Sequence, residues 1–390
     1  MSVTETIDNL LRSAVAAGEV PGVVAVAADA KGLIYEGAAG RRDISAADPM
    51  TPDSVFWIAS MTKAITSVAA MQLVEASKLA LDTPIADVLP ELASRQVLEG
   101  FDAAGQPRLR PPKRPITLRH LLTHTAGLGY DIWNADLGRY MEQKGLPGII
   151  SCQNAALETP LTFDPGEKWQ YGINIDFVGR AVETASGESL DAYFRKHIFD
   201  PLEMNATGFT LTPAQRARLA RMHARNPEGG LVPIDFEVPQ QPEFFMGGGG
   251  LYGSGPDYLK FTRMLLNGGA LNGARILQPE TVTLMAQNHI GDLEAGVMPT
   301  ALPASSNDVN FFPGMRQKWG LGFLINTEDS PHGRKAGSLA WAGLGNTYFW
   351  IDRQSGITGV ILTQILPFAD HQVVPLYAAF EKALYQGHAS

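Results

Sequence analysis

Apolar residues near the start of the chain recur at helical spacing. Ile7, Leu10, Leu11 and Val15 share one face, and Gly18 closes the run. The period then shortens. Residues 23–29 and 33–37 are short, largely apolar runs joined by Ala30-Lys31-Gly32, which predicts two strands and a turn. Residues 61–77, rich in Ala, Val and Met, predict a helix. Between about Pro84 and Gly247 helical stretches dominate, at 116–124, 175–184 and 190–198. Pro111-Pro112-Lys113 and Val232-Pro233 punctuate them. Short β-branched or aromatic runs return at 322–326, Thr347–Asp352 and 358–363, and residues 373–385 predict a closing helix. Strands at both chain ends with helices between them predict an α+β fold. Its sheet domain would combine residues 1–83 and 247–390, with a mainly helical domain, 84–246, inserted.

Composition narrows the function classes. The chain has 390 residues, a formal net charge of -9, 45% hydrophobic and 18% charged residues, which is ordinary for a folded protein. No run of five basic residues exists to neutralise a row of phosphates, so a nucleic-acid partner is not expected. The single cysteine, Cys152, has no internal disulfide partner and no zinc-type spacing, and is expected to be a small buried hydrophobe. No run of eighteen apolar residues and no basic, apolar leader is present. The expectation is a cytoplasmic protein with no membrane partner. Composition sets no oligomeric state.

Three short segments carry candidate chemistry. Ser60-Met61-Thr62-Lys63 is an S-x-x-K tetrad opening a helix, so the hydroxyl and amine share a face. Free N–H groups in a first helical turn can stabilise an oxyanion beside the serine. Lys63 must shed its proton, from a reference pKa of about 10.4, to act as base, and burial is the means to that. An N-cap serine followed by a surface lysine has the same letters. Tyr171, in Trp169-Gln170-Tyr171-Gly172, follows the turn Phe163-Asp164-Pro165-Gly166 and can relay a proton between serine, lysine and leaving group. A core tyrosine is the plainer alternative. Trp341-Ala342-Gly343-Leu344-Gly345 precedes a strand, and its small residues would let a backbone N–H approach a substrate carbonyl.

In this order and on these elements, the three segments resemble the serine β-lactamase and DD-peptidase superfamily. They are most similar to family VIII carboxylesterases, the esterase branch close to class C β-lactamases. The run from Leu121-Leu122-Thr123-His124 to Leu128, the Gly247-Gly248-Gly249-Gly250-Leu251-Tyr252 stretch, and Asp176 and Gly179 after Tyr171 match too. The resemblance implies an antiparallel sheet flanked by N- and C-terminal helices plus the inserted helical domain, with the active site between them. It implies Ser60, Lys63 and Tyr171 as catalytic residues. Backbone N–H groups of Ser60 and Leu344 would form the oxyanion hole, Gly343 would permit the approach, and Trp341 would face the substrate. No cofactor or metal is implied.

Two departures from class C β-lactamases shape the expected substrate. Their Tyr-x-Asn becomes Tyr171-Gly172-Ile173, with Asn174 one step late, and their Lys-Thr-Gly becomes Trp341-Ala342-Gly343. Lys335-Ala336-Gly337-Ser338 imitates the lysine motif upstream, but Trp341 fits the distance to the following strand. Losing that lysine removes a cation suited to a β-lactam carboxylate. The expected function is hydrolysis of a small-molecule, short-chain ester through a serine acyl-enzyme. Competing readings are a β-lactamase or D-aminopeptidase, an acyltransferase, and an inactive penicillin-binding-like sensor or scaffold. His120 and His124 are expected to be structural, since no third ligand is apparent. Tyr130, Trp133, Trp319, Trp341 and Trp350 are candidates to line an acyl or alcohol pocket. Near Lys63 the Tyr171 phenol is expected to ionise more readily than usual.

Overall fold

The structure is a computed structural model that describes residues 2–388. Helix α1 (Val3–Ala16) starts at a capping box, in which the Ser2 hydroxyl accepts from the Glu5 N–H and the Glu5 carboxylate accepts from the Ser2 N–H. Its Ile7, Leu11 and Ala14 are buried, while Leu10 and Val15 pack at the margin. Strands β1 (Gly22–Asp29) and β2 (Leu33–Gly40) form where the sequence predicts two strands and a turn, and they pair antiparallel. Helix α2 (Thr62–Glu75) is buried on nearly all sides, which explains why its sequence is small and apolar rather than amphipathic.

The main sheet has seven strands. Besides β1 and β2 it contains β3 (Gln317–Trp319), β4 (Leu324–Asn326), β5 (Leu339–Gly343), β6 (Thr347–Asp352) and β7 (Ile357–Leu362). Their order is β3-β4-β5-β6-β7-β1-β2, and every pairing is antiparallel. The two chain ends meet where β1 pairs with β7, Val24 opposite Leu362 and Ala28 opposite Thr358. Helices α1 and Val373–His388 pack together over one face. A further helix, Gly255–Leu266, covers β1, β6 and β7 on the other. Its first residue must be small, because a Cβ on Gly255 would press on Val24 and Val26 at 3.0–3.5 Å.

Between these ends lies a largely helical segment with short helices, including Leu118–Leu122, and α3 (Asn174–Ser186), which packs against α2. The helical pattern over 116–124 yields only that short helix, because His124 takes a left-handed backbone angle and stops it. The run over 190–198 is helical to Phe194, then widens into a looser turn at Arg195–Phe199. The strand β5 and the helix Gly255–Leu266 escape the hydrophobic pattern. β5 is short and interrupted by alanines, and the helix follows a glycine run that reads as a turn.

Candidate active site

Ser60 does not stand in α2 itself. It lies in a tight 3-10 turn, Ala59–Met61, that feeds into α2 at Thr62. Ala59 holds φ = 45°, a left-handed angle that costs a side chain energy. That bend lifts Ser60 out of the core, and it is the half-exposed member of an otherwise buried turn. Lys63 is 1% exposed. Its Nζ donates to Ser60 Oγ at 3.2 Å, to the Tyr130 phenol at 2.9 Å and to the Gly248 carbonyl at 2.6 Å. Three acceptors match the three protons of an ammonium, and the amine also sits 4.6 Å from the centre of the Tyr171 ring. Burial pushes the Lys63 pKa down, opposed by the negative charge of Asp176. The amine can therefore become neutral, as a base toward Ser60 requires.

The Gly247 to Gly250 run closes the floor of the site, and it is a close docking as well as a turn. Thr66 donates to the Gly247 carbonyl at 2.7 Å, Leu251 N–H to the Thr62 hydroxyl, and the Trp57 indole to the Gly249 carbonyl. None of these glycines has a positive φ. A Cβ on Gly248 would come within 2.5–2.9 Å of the Asp176 carboxylate, so Gly248 is small because the chains approach so closely.

Tyr171 precedes α3 by three residues, and its phenol oxygen accepts from Trp341 Nε1 at 2.9 Å. The Ser60 hydroxyl is also within its hydrogen-bonding reach. The rings of His124 and Trp341 lie 4.8 Å from it on different sides. Gly172 lets this segment press on the Leu128 and Gly129 backbone, where any Cβ would collide. The expectation of an easily ionised phenol is corrected: burial raises the Tyr171 pKa above the usual tyrosine value, outweighing the hydrogen bonds that lower it. Asn174, the misplaced asparagine of the motif, is buried and donates to the Leu128 carbonyl at 2.8 Å, with His124 Nδ1 3.0 Å away. It braces the loop and takes no place beside Ser60.

Trp341 stands differently from the sequence expectation. Trp341 is 4% exposed and touches Tyr171, Trp319 and Phe311 instead of lining the cavity at Ser60. Gly343 faces Ile58, whose carbonyl oxygen would lie 2.3 Å from an added Cβ. The glycine thus lets the end of β5 press against the segment that leads into Ser60. Leu344, the next residue, does line the same cavity as Ser60. That cavity is open to solvent, and its space together with the solvent at its mouth comes to about 360 Å³. Its walls are apolar, formed chiefly by Trp57, Trp133, Ile149, Ile150, Met246 and Leu344. Of the aromatic candidates, Tyr130 and Trp133 reach it. Trp319, Trp341 and Trp350 are core.

The sequence reading missed the bond from Lys63 to Tyr130. Tyr130 follows the quoted run through Leu128 by two residues, and only the fold shows that it returns to α2. Lys335 lies at the surface, bound to Asp329 at 2.7 Å, away from Ser60. Cys152 is buried, which pushes its thiol up to about 12. His120 Nδ1 accepts from the Thr117 N–H at 3.2 Å, while His124 is held neutral by burial and its Nε2 has no partner among the described residues. No group of His, Cys, Asp and Glu suited to a metal ion occurs among the described residues, nor any helix long and apolar enough to cross a membrane.

A family model described as Beta-lactamase matches residues 7–383. A lovastatin esterase of Penicillium rubens is 32% identical across 98% of this chain and 99% of its own length. A monacolin J acid methylbutanoyltransferase of Aspergillus terreus is 34% identical, covering 97% of this chain and 95% of its own. Among solved structures, a LovD6 mutant of simvastatin synthase from Aspergillus terreus superposes with a TM-score of 0.86 at 33% identity, covering 98% of this chain and 97% of that one. EstCE1, a hydrolase with promiscuous acyltransferase activity, gives 0.76 at 25% identity over 98% of both chains.

Proposed function

Because the chain belongs to the beta-lactamase family, within the serine β-lactamase and transpeptidase-like superfamily, we propose that it takes an acyl group from an ester onto Ser60 and passes it to an alcohol, with water as the competing acceptor. An enzyme acting on ester bonds is the coarse statement that the esterase and the acyltransferase relatives share. The observation that carries the finer one is the cavity. Its walls next to Ser60 are hydrocarbon and indole, and the polar side chains that reach it are Ser60, Tyr130 and Tyr171. A short apolar acyl group, of the methylbutanoyl size named for the Aspergillus relative, is suited to such walls, and a hydrolytic water finds few partners there.

The chemistry follows from the contacts around Ser60. Neutral Lys63 takes the Ser60 proton as Oγ bonds to the ester carbonyl carbon. The backbone N–H of Ser60, free in the first turn, and that of Leu344 stabilise the oxyanion. The tetrahedral intermediate collapses, the carbon–oxygen bond to the leaving alcohol breaks, and the Tyr171 phenol supplies that oxygen with a proton. The Lys63 ammonium then returns the proton to Tyr171. Transfer runs the same steps in reverse with a new alcohol, and Ser60 regains its proton. No group beyond the chain's own residues is needed.

The test is mass spectrometry of the intact protein after a slow acyl donor, followed by product analysis with and without an acceptor alcohol. One acyl group on the Ser60 peptide, absent in Ser60→Ala, is expected, with ester product exceeding free acid when the alcohol is present. Acylation with free acid as the dominant product under those conditions would leave a carboxylesterase. No adduct at Ser60 would remove the serine mechanism.

A further inference from the structure

Beside the catalytic contacts lies a buried charged group that they do not use. Asp176, in the first turn of α3, is fully buried. Its Oδ1 accepts from the Gly248 N–H at 2.8 Å, and its Oδ2 has no partner among the described residues. The carbonyl of the same glycine accepts from Lys63 Nζ at 2.6 Å. A single residue, Gly248, therefore stands between the carboxylate and the amine, gripped by both.

A buried carboxylate with a bare oxygen is strongly unfavourable unless a cation compensates it. The titratable groups around it come from several elements: Lys63 on α2, the Tyr130 and Tyr171 phenols, His124 at the end of Leu118–Leu122, and the Cys152 thiol. Burial holds both phenols, the imidazole and the thiol neutral around pH 7, so Lys63 is the cation that balances Asp176. Burial raises the Asp176 pKa and lowers that of Lys63; the ammonium opposes the first shift and the carboxylate opposes the second.

We infer that Asp176 is a positioning residue for the base. Through Gly248 it fixes where the Lys63 amine sits, and its charge sets the pH at which that amine becomes able to take the Ser60 proton. The arrangement accounts for Gly248, since any side chain there would strike the carboxylate, and for a fully buried acid in the first turn of α3. The inference rests on the acyl-enzyme reading above and concerns what tunes its base.

The experiment is the pH dependence of kcat/KM for a short chromogenic ester in wild type and Asp176→Asn, with Ser60 acylation followed by mass in the same samples. Asparagine keeps an acceptor for the Gly248 N–H and removes the charge. Without the carboxylate the ammonium is less favoured, so the acidic limb should move to lower pH by about one unit, as for loss of a neighbouring opposite charge. Asp176→Glu, which restores the charge, should bring the limb back toward wild type, which a purely packing role would not do. Asp176→Ser repeats the test if the asparagine variant does not fold. A limb that stays in place in an acylating, folded variant overturns the inference while sparing the acyl-enzyme. Loss of acylation in the wild type would instead overturn the reading on which it rests.

Discussion

Trp341 Nε1 donates a hydrogen bond to the Tyr171 phenol oxygen at 2.9 Å, joining the middle of β5 to the loop before α3. The indole, at the position that the sequence resemblance matches to the lysine of class C β-lactamases, is an N–H donor without a charge. In the proposed mechanism it would lower the cost of negative charge building on Tyr171. Trp341→Phe keeps the aromatic contacts and removes the donor. An interaction of about 1 kcal/mol predicts a fall in kcat of roughly fivefold, with KM little changed. Steady-state kinetics on a short ester check this, and an unchanged kcat would reduce Trp341 to a packing residue.

Tyr171→Phe is expected to lower kcat by about a hundredfold, the usual worth of a positioned acid–base group. Because burial raises the Tyr171 pKa, the phenol stays protonated across the neutral range. The acidic limb of the pH–rate profile then belongs to Lys63, whose neutral form appears as pH rises through a pKa that burial has lowered. That limb should keep its position in Tyr171→Phe. Its displacement in the variant would show that the phenol titrates with the lysine after all.

Short esters should be turned over with higher kcat/KM than penicillins. Ile173 is buried, Asn174 is committed to Leu128, and Lys335 is at the surface. Among the described residues that line the cavity at Ser60 there is no side-chain amide and no cation to meet a β-lactam carboxylate. A lost charge-assisted contact is worth about 1.5–3 kcal/mol, or ten- to a hundredfold. Parallel measurements on both substrate classes decide it, and a β-lactam preference would refute the argument from these positions.

Away from the site, Arg334 and Glu381 form a buried ion pair at 2.5 Å, with the Ser330 hydroxyl donating to the carboxylate and Tyr377 beside the guanidinium. Glu381→Ala leaves an unpaired buried cation and should cost about 3–5 kcal/mol of stability, seen as a lower urea midpoint. The pairing also lowers the Glu381 pKa in the folded state. Its contribution is therefore present at neutral pH and lost as pH falls through that lowered value. An unchanged midpoint at pH 7 would mean that Arg334 is held by its aromatic neighbours alone.

The sequence by itself determined the elements whose period or chemistry is local. The amphipathic α1, the short apolar runs of β1 and β2 with a turn between them, the closing helix and the S-x-x-K spacing depend on residues a few positions apart, and local sterics and side-chain direction decide them. The sheet's assembly from both chain ends was legible for the same reason, since strand patterns lie at both termini. Tertiary structure alone decided what surrounds the reactive amine. Tyr130 reaches Lys63 across 67 positions of sequence and Gly248 across 185. Burial, which sets the ionisation of Lys63, Asp176 and Tyr171, is a property of everything packed around them. Trp341 could be picked out by its motif, but that its indole bonds Tyr171 and lies outside the cavity at Ser60 follows from how β5 packs against the loop before α3, which no local pattern contains.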